Sequence, residues 1–213
     1  VGDVDGDGDL DAVAAGGSAE EAVVYINDGN GTFDERGVYP QANGASDVAL
    51  ADWDLDGDLD VAVCSQSGCT LSVWLNDGGG VFSAGGHFAM PGGPVRLAAA
   101  DLDGDGDPDL LTANASGRSV GVLLNARAES GSAPQPWQDR PFGSGTPMDL
   151  LAADMNSDGL TDLFSVHVYI TGGSGDSTAL HLNRGATGGF ATVTRALTTC
   201  LAGGDLPDVD GDG

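Results

Sequence analysis

Short apolar runs alternate with polar turns along the chain, and they are too short and too closely spaced to be helices. Around residue 60 the runs are Val48–Ala51, Leu59–Cys64 and Thr70–Leu75, and a fourth begins at Val81 and fades before Pro91. No stretch keeps an apolar period of 3.6 residues over several turns. The pattern predicts an all-β protein, built from short strands joined by tight turns and containing essentially no helix.

The strand pattern repeats, and acidic segments mark its period. The first Asp of these segments is Asp3, Asp52, Asp101, Asp154 and Asp208, which gives spacings of 49, 49, 53 and 54 residues. A second marker keeps the same phase, an apolar strand that ends in Asn27, Asn76, Asn125 or Asn183. We interpret this Asn as a turn former. We therefore predict approximate repeats at 1–46, 47–94, 95–147 and 148–203, and a partial one at 204–213.

Four short strands in about fifty residues are typical of β-propeller blades. The prediction is a single domain of about four blades, each with four antiparallel strands. Small residues of the first strands, such as Ala49 and Ala98, suit a crowded central axis, and larger residues such as Val61 and Leu111 would fill the layers between blades. A β-sandwich and a linear solenoid are the alternatives. Segments 127–136 and 171–177 are interpreted as lengthened loops.

Four complete acidic loops of nine positions align with one another. Counting from the first Asp, the shared positions are Asp3, Asp52, Asp101 and Asp154 at position 1; Asp5, Asp54, Asp103 and Asn156 at position 3; Asp7, Asp56, Asp105 and Asp158 at position 5; Gly8, Gly57, Gly106 and Gly159 at position 6; Asp9, Asp58, Asp107 and Leu160 at position 7; and Asp11, Asp60, Asp109 and Asp162 at position 9. Asp208, Asp210 and Asp212 begin a fifth, truncated loop.

An all-oxygen donor set of this kind predicts Ca²⁺ in four complete sites. Because position 7 accepts Leu160, we expect it to act through its backbone carbonyl, which the sharp turn at the position 6 glycine points inward. Mg²⁺ takes fewer protein ligands, and Zn²⁺ favours the His and Cys that these loops lack. An EF-hand needs Glu at position 12, where this chain has Ala14, Val63, Thr112 and Ser165.

Most of the acidity lies in these loops. The formal net charge is −26, with seven Arg and no Lys, and 36 of the 213 residues are glycine. A surface of this sign repels nucleic acid and anionic membranes, so neither is expected as a partner. No apolar run has the length of a transmembrane helix.

The loops and their phase resemble the FG-GAP/VCBS repeats of the integrin α-subunit type. The segments Phe142-Gly143 and Gly145-Thr146-Pro147 come close to the landmarks of that family. The resemblance implies a calcium-binding propeller whose ions lie in hairpin loops and stabilise them. Since propellers of this family have about seven blades, we expect the chain to be part of a larger propeller or a small four-bladed ring.

The sequence favours a non-enzymatic module of a secreted or cell-surface protein, acting in adhesion or in recognition of a protein or glycan. Alternatives are a building block of an extracellular coat or fibre, which contacts copies of itself, and the non-catalytic propeller of a carbohydrate-active enzyme. His87, His167 and His181 have no repeating partners and are interpreted as structural. No hydrolase, metalloprotease or nucleotide-binding motif is present.

Several single residues carry further expectations. A disulfide is expected between Cys64 and Cys69, across a short turn, with two free thiols as the alternative, and Cys200 has no evident partner. Trp74 is expected to be buried, Trp53 half-exposed in its loop, and Trp137 is the candidate for a recognition surface. Asn30 and Asn114 begin glycosylation sequons in predicted turns.

Overall fold

The fold is described from a computed structural model, which describes residues 1–16, 21–40, 43–90, 92–125, 138–141, 145–168, 177–184 and 190–196. All regular elements in these ranges are strands, as the apolar pattern predicts. They are β1 Ala12–Ala15, β2 Glu21–Asn27, β3 Phe33–Pro40, β4 Asp47–Ala51, β5 Asp60–Ser65, β6 Thr70–Asn76, β7 Phe82–Ala89, β8 Pro94–Ala100, β9 Asp109–Asn114, β10 Ser119–Leu123, β11 Gln138–Pro141, β12 Thr146–Ala153, β13 Asp162–Val168, β14 Ser177–Asn183 and β15 Phe190–Ala196.

The strands form four separate antiparallel sheets, each a meander in chain order. Blade 1 contains β1 to β3, blade 2 contains β4 to β7, blade 3 contains β8 to β11 and blade 4 contains β12 to β15. In blade 1 the place of a first strand is taken by a single bridge between Gly2 and Asp11. The architecture confirms the predicted all-β fold of propeller blades.

The core lies between successive blades, because inner strands such as β5, β9 and β10 bury both of their faces. β5 is buried at every position. Val61 and Val63 pack toward blade 1 with Val4 and Val24, while Ala62 and Cys64 pack toward blade 3. A third cluster, around Leu111 and Leu163, joins blades 3 and 4. The hydrophobic layers that hold neighbouring sheets together are therefore made by alternate residues of the same strands.

The fourth strand of blade 2, β7, begins at Phe82 and ends at Ala89, before Pro91, as the apolar pattern predicts. It continues through Gly85 and Gly86. The two glycines weaken the strand signal, but they are required here. The register against β6 shifts between Val73 and Trp74, and a Cβ on Gly85 would lie 2.5 Å from Cγ of Leu75. The β-bulge and this close approach therefore account for the two glycines inside the strand.

Three predictions about single residues are wrong. Cys64 and Cys69 are free, with the Cys64 thiol buried 3.9 Å from the carbonyl of Pro94 in the next blade and Cys69 exposed. Trp53 is buried, only 2% exposed, because it packs between blades 2 and 3. Asn114 is not in a turn: it ends β9 fully buried, with its side chain hydrogen bonded to Thr112, so this sequon cannot carry a glycan in the folded chain.

The remaining predictions about single residues concern Trp74, Asn30 and several residues outside the described ranges. Trp74 is half-buried against the blade 1 and blade 2 layer, and Asn30 is exposed in the turn between β2 and β3. Trp137, Cys200, Phe142, the segment 127–136 and the partial loop at 208–212 lie outside the described residues. Among the residues that the structure describes, no helix has the length and apolar character needed to cross a membrane.

Candidate metal centres

Each acidic loop joins the first strand position of a blade to the second. The loops follow β4, β8 and β12 in blades 2 to 4, and in blade 1 the loop is closed by the backbone pair of Gly2 and Asp11. The aspartates at positions 1 and 5 bond to the backbone of their own loop, since alternating carboxylates and glycines favour local side-chain to backbone hydrogen bonds. The four loops therefore fold in the same way for a local reason.

The carboxylate at position 1 organises the backbone of its own loop. One oxygen accepts the N–H of position 4 or 5, as in the 2.8 Å bond from Gly6 to Asp3 and the 3.1 Å bond from Asp56 to Asp52. The other oxygen accepts the N–H of the position 6 glycine at 2.9–3.1 Å in all four loops. The position 5 carboxylate in turn accepts the N–H of position 7.

Two positions of every loop have a left-handed backbone. Position 6 is always glycine, with φ of 98°, 101°, 93° and 86°. Position 4 is also left-handed, but there the chain has glycine only in the first and third loops. Leu55 and Ser157 take φ of 64° and 61° at that position. Sequence comparison identified the first of these positions and missed the second, because a tolerated Leu hides the requirement.

The carboxylate at position 9 is buried and joins three parts of its blade. Asp60 is 1% exposed. One of its oxygens accepts the N–H of Trp53 at 2.7 Å and of Asp54 at 3.3 Å, and the other accepts the N–H of Asn76 at 2.8 Å. Asp11, Asp109 and Asp162 repeat the bonds to position 2 and to the Asn that ends the third strand. This residue would anchor the loop with or without an ion.

Carboxylates from positions 1, 3 and 9 come together in three of the loops. In each set, one oxygen from each residue lies within 4.8 Å of the others, and the sets are Asp3, Asp5 and Asp11; Asp52, Asp54 and Asp60; and Asp101, Asp103 and Asp109. Three clusters of acidic residues could therefore hold a metal ion. In the fourth loop the same positions are Asp154, Asn156 and Asp162, so the set contains two carboxylates and one amide.

Several carboxylates of the clusters have a raised pKa, so they are harder to ionise than free carboxylates. Burial raises the pKa of Asp60 to about 6 and that of Asp109 to about 7, against the backbone donors that favour the ionised form. Burial and then the neighbouring carboxylates also raise the pKa of Asp5 and Asp103 at position 3. A divalent cation reverses this balance, because its charge favours the ionised carboxylates.

The remaining candidate ligands lie at the margin of the clusters. The position 5 residues Asp7, Asp56 and Asp158 are exposed and accept the backbone N–H of position 7, and Asp158 also accepts a bond from the Asn156 amide at 3.0 Å. At position 7, the carboxylates of Asp9 and Asp58 lie against Gly29 and Gly78, in the turn after the third strand, where a Cβ would collide with them. The position 7 side chains of the first two loops therefore cover a turn, and Leu160 replaces one of them in the fourth loop.

The donor set fits a hard divalent cation. Every side-chain donor of the four loops is a carboxylate or amide oxygen, which suits Ca²⁺ and not the softer transition metals. Positions 1, 3 and 9 supply the converging oxygens, and the loop backbone is already ordered around position 1. The arrangement is compatible with calcium binding.

Sequence reasoning assigned the repeated Asn to the turn and missed its second contact. The side-chain oxygen of Asn76 does accept N–H groups of the turn, from Gly78 at 3.3 Å and Gly80 at 3.1 Å. Its amide nitrogen, however, donates to the carbonyl of Val4 in the preceding blade at 2.7 Å. The available signal was that Asn recurs in repeats 3 and 4, where no Asp-Gly turn follows it.

Antiparallel sheets of three or four strands, with an acidic loop between the first and second strand positions, correspond to the class of propeller-blade repeat proteins. A family model for the FG-GAP-like repeat matches three overlapping stretches, residues 3–63, 52–112 and 101–165. The chain belongs to the FG-GAP-like repeat family. No curated protein matches the chain.

Proposed function

We propose that this chain is a calcium-stabilised, non-enzymatic propeller module of a secreted or cell-surface protein. The observation that carries the proposal is the recurrence of one carboxylate cluster, from positions 1, 3 and 9, at the same place in three successive blades. Separate ion sites at the ends of neighbouring blades stabilise a fold whose sheets meet mainly through apolar layers. The fourth loop, with Asn156 at position 3, is a weaker fourth site.

Removal of calcium tests the proposal. A bound ion stabilises the folded state by about 2.7 kcal/mol per site at 100 times its Kd, and extracellular modules bind Ca²⁺ with Kd of roughly 10⁻⁴–10⁻³ M. Excess EDTA should therefore lower the Tm measured by calorimetry, and added Ca²⁺ should restore it while equimolar Mg²⁺ restores less. An unchanged Tm in EDTA would show that the clusters are not calcium sites.

A role in recognition is the second part of the proposal. A groove of about 480 Å³ runs beside β6 and β7 and is lined by Trp74, Ser72 and His87, with Gly85 and Gly86 in its wall. The Ser72 hydroxyl and Nδ1 of His87 are 2.9 Å apart, which holds the exposed imidazole in the groove. An aromatic ring beside polar groups suits a neutral sugar, and the acidic surface disfavours anionic ligands.

Binding to a glycan array tests the groove. Wild type should retain at least one neutral glycan, and His87→Ala should lose it. Ser83→Ala, an exposed change in β7 outside the groove, is the matched control and should bind as wild type does. Failure of the wild type to retain any glycan would rule out glycan recognition at this groove.

The absence of catalysis is also proposed from burial. Ser165 lies 2.8 Å from Nε2 of His167 and 3.2 Å from Nε2 of His181. All three residues are at most 2% exposed, so no substrate reaches this hydroxyl in the folded chain. Burial lowers the pKa of both histidines, to about 4 for His181, which keeps the pair neutral.

A further inference from the structure

In each of blades 2 to 4, one asparagine connects the blade to the acidic loop of the blade before it. The side-chain amides of these asparagines donate to the carbonyl of position 2 in that loop. The bonds are 2.7 Å from Asn76 to Val4, 2.8 Å from Asn125 to Trp53 and 2.6 Å from Asn183 to Leu102. All three asparagines are buried, so water does not replace these bonds readily.

The same asparagines also contact the loop of their own blade. The backbone N–H of Asn125 donates to Asp109 at 2.8 Å, and the N–H of Leu102 donates to the other oxygen of that carboxylate at 2.8 Å. Asn76 and Asn183 make the equivalent backbone bonds to Asp60 and Asp162. A continuous series of hydrogen bonds therefore passes from position 9 of one loop, through position 2 and an Asn, to position 9 of the next.

The accepting carbonyl belongs to the residue between two members of the carboxylate cluster. Trp53 stands between Asp52 and Asp54, the position 1 and position 3 residues of the second loop. The peptide that follows Trp53 is held on both sides, its oxygen by Asn125 and its N–H, that of Asp54, by Asp60 at 3.3 Å. Fixing this peptide fixes the relative orientation of two converging carboxylates, and preorganised ligands bind an ion more tightly.

We propose that Asn76, Asn125 and Asn183 are positioning residues for the ion sites of the preceding blade, so that each of the first three acidic loops is completed by the next blade. The inference rests on the proposed function, since it assumes that the loops bind a cation. It makes ion affinity a property of two blades together, although every ligand comes from one.

The second loop offers a site-specific readout. Trp53 is the only tryptophan within the four complete loops, and Tb³⁺, a probe for calcium sites, becomes luminescent when a nearby indole transfers energy to it. Subtracting the signal of Trp53→Phe isolates the contribution of this loop. Titration of the full chain with Tb³⁺ should then give the affinity of the second loop alone.

Asn125→Ala is the test variant. It removes the amide donor but keeps the backbone N–H to Asp109, and it should weaken Tb³⁺ binding at the second loop about five- to tenfold, the change that corresponds to one buried hydrogen bond. Asn183→Ala is the matched control, because it removes the same bond one blade further on and should leave the second loop unchanged. If Asn125→Ala does not fold, Asn125→Asp removes the donor in a side chain of the same shape.

The outcomes separate the two proposals. A loss of affinity in the Asn125 variant alone supports the inference. Equal affinity in all variants overturns it, and so does an equal loss in both, which would reflect general destabilisation. If the wild type shows neither Trp53-dependent luminescence nor competition by Ca²⁺, the proposed calcium function itself is wrong, and the inference is overturned with it.

Discussion

The second and fourth acidic loops share a backbone but not a charge. In both, the position 1 carboxylate accepts the N–H groups of positions 5 and 6, at 3.1 and 3.0 Å for Asp52 and at 3.1 and 2.9 Å for Asp154. The buried Asp60 and Asp162 bind position 2 and the repeated Asn alike. Position 3, however, is an acid in the second loop and Asn156 in the fourth, and position 7 is an acid only in the second.

The comparison shows that the residues that determine the backbone conformation of a loop differ from those that set its charge. Hydrogen bonds of positions 1, 5 and 9 recur in both loops and are sufficient for the shape. The charge at position 3 varies without changing the shape, so it is available for ion affinity, whereas the position 7 side chain covers a turn in the second loop and is Leu160 in the fourth. Exposure follows the same division, since Asp52 and Asp54 are half-buried while Asp154 and Asn156 are exposed.

The largest effect is expected from position 9. Asp60→Ala leaves the N–H groups of Trp53, Asp54 and Asn76 without their acceptor, and it should lower the free energy of unfolding by roughly 3–5 kcal/mol. Asp162→Ala should cost roughly 2–4 kcal/mol for two such groups. Urea denaturation in EDTA measures both, with the exposed Asp56→Ala as a control that costs less. A loss that appears only when Ca²⁺ is present would make this residue a ligand and not an anchor.

The next effect is a dependence of stability on pH that arises in blade 4. Counting from position 9 and from the repeated Asn, Ser165 and His181 of blade 4 take the places of Val63 and Trp74 of blade 2. Burial, and then the charge of His167, lower the pKa of His181 from 6.5 to about 4. Between about pH 6.5 and pH 4, His181 is therefore protonated in the unfolded chain but neutral in the folded chain. The free energy of unfolding consequently falls as pH falls through this range, by at most roughly 3 kcal/mol.

His181→Gln isolates this histidine. The variant keeps a donor near Ser165 but does not titrate, so wild type should lose stability relative to it across that window. Asp60 and Asp109, whose pKa values are raised, contribute stability below pH 4 that is lost as pH rises through about 6 and 7, and they cancel in the comparison. Parallel stability curves for the two proteins, followed by urea denaturation in EDTA, would contradict the assignment.

Exchanging the charge at position 3 should exchange ion affinity between the loops. Asp54→Asn gives the second loop the donor set of the fourth at this position, and it should weaken Ca²⁺ binding there about tenfold, or about 1.4 kcal/mol, through the lost attraction. Asn156→Asp should strengthen the fourth site by a similar factor. Isothermal titration of both variants measures this. Leu160→Asp serves as the control, because we predict that position 7 acts through its carbonyl, and an equal gain from it would contradict that role.

The sequence contains the strands, the period and the acidic loops because each follows from local chemistry. A short continuous apolar run marks β5, and the phase of the loops marks the blades. Burial of Trp53 and Asn114 could not be derived in this way, since both depend on what the next blade or strand places over them. The contact from Asn125 to Trp53 spans 72 residues, and no local pattern encodes its partner. The only sequence signal for this contact was that Asn recurs in repeats 3 and 4 without the Asp-Gly turn that follows it in repeats 1 and 2.

The smallest expected effect concerns position 4, where the second and fourth loops agree with each other and differ from the other two. Leu55 takes φ of 64° where the first and third loops have Gly6 and Gly104, and it is 40% exposed, so little packing offsets the strain. Leu55→Gly should raise the free energy of unfolding by about 1 kcal/mol, because glycine adopts this conformation without a Cβ clash. Leu10→Gly is the matched control: Leu10 is also exposed but is not left-handed, and its replacement should not stabilise the chain. Equal shifts of the urea midpoint in the two variants would show that backbone conformation at position 4 does not limit stability.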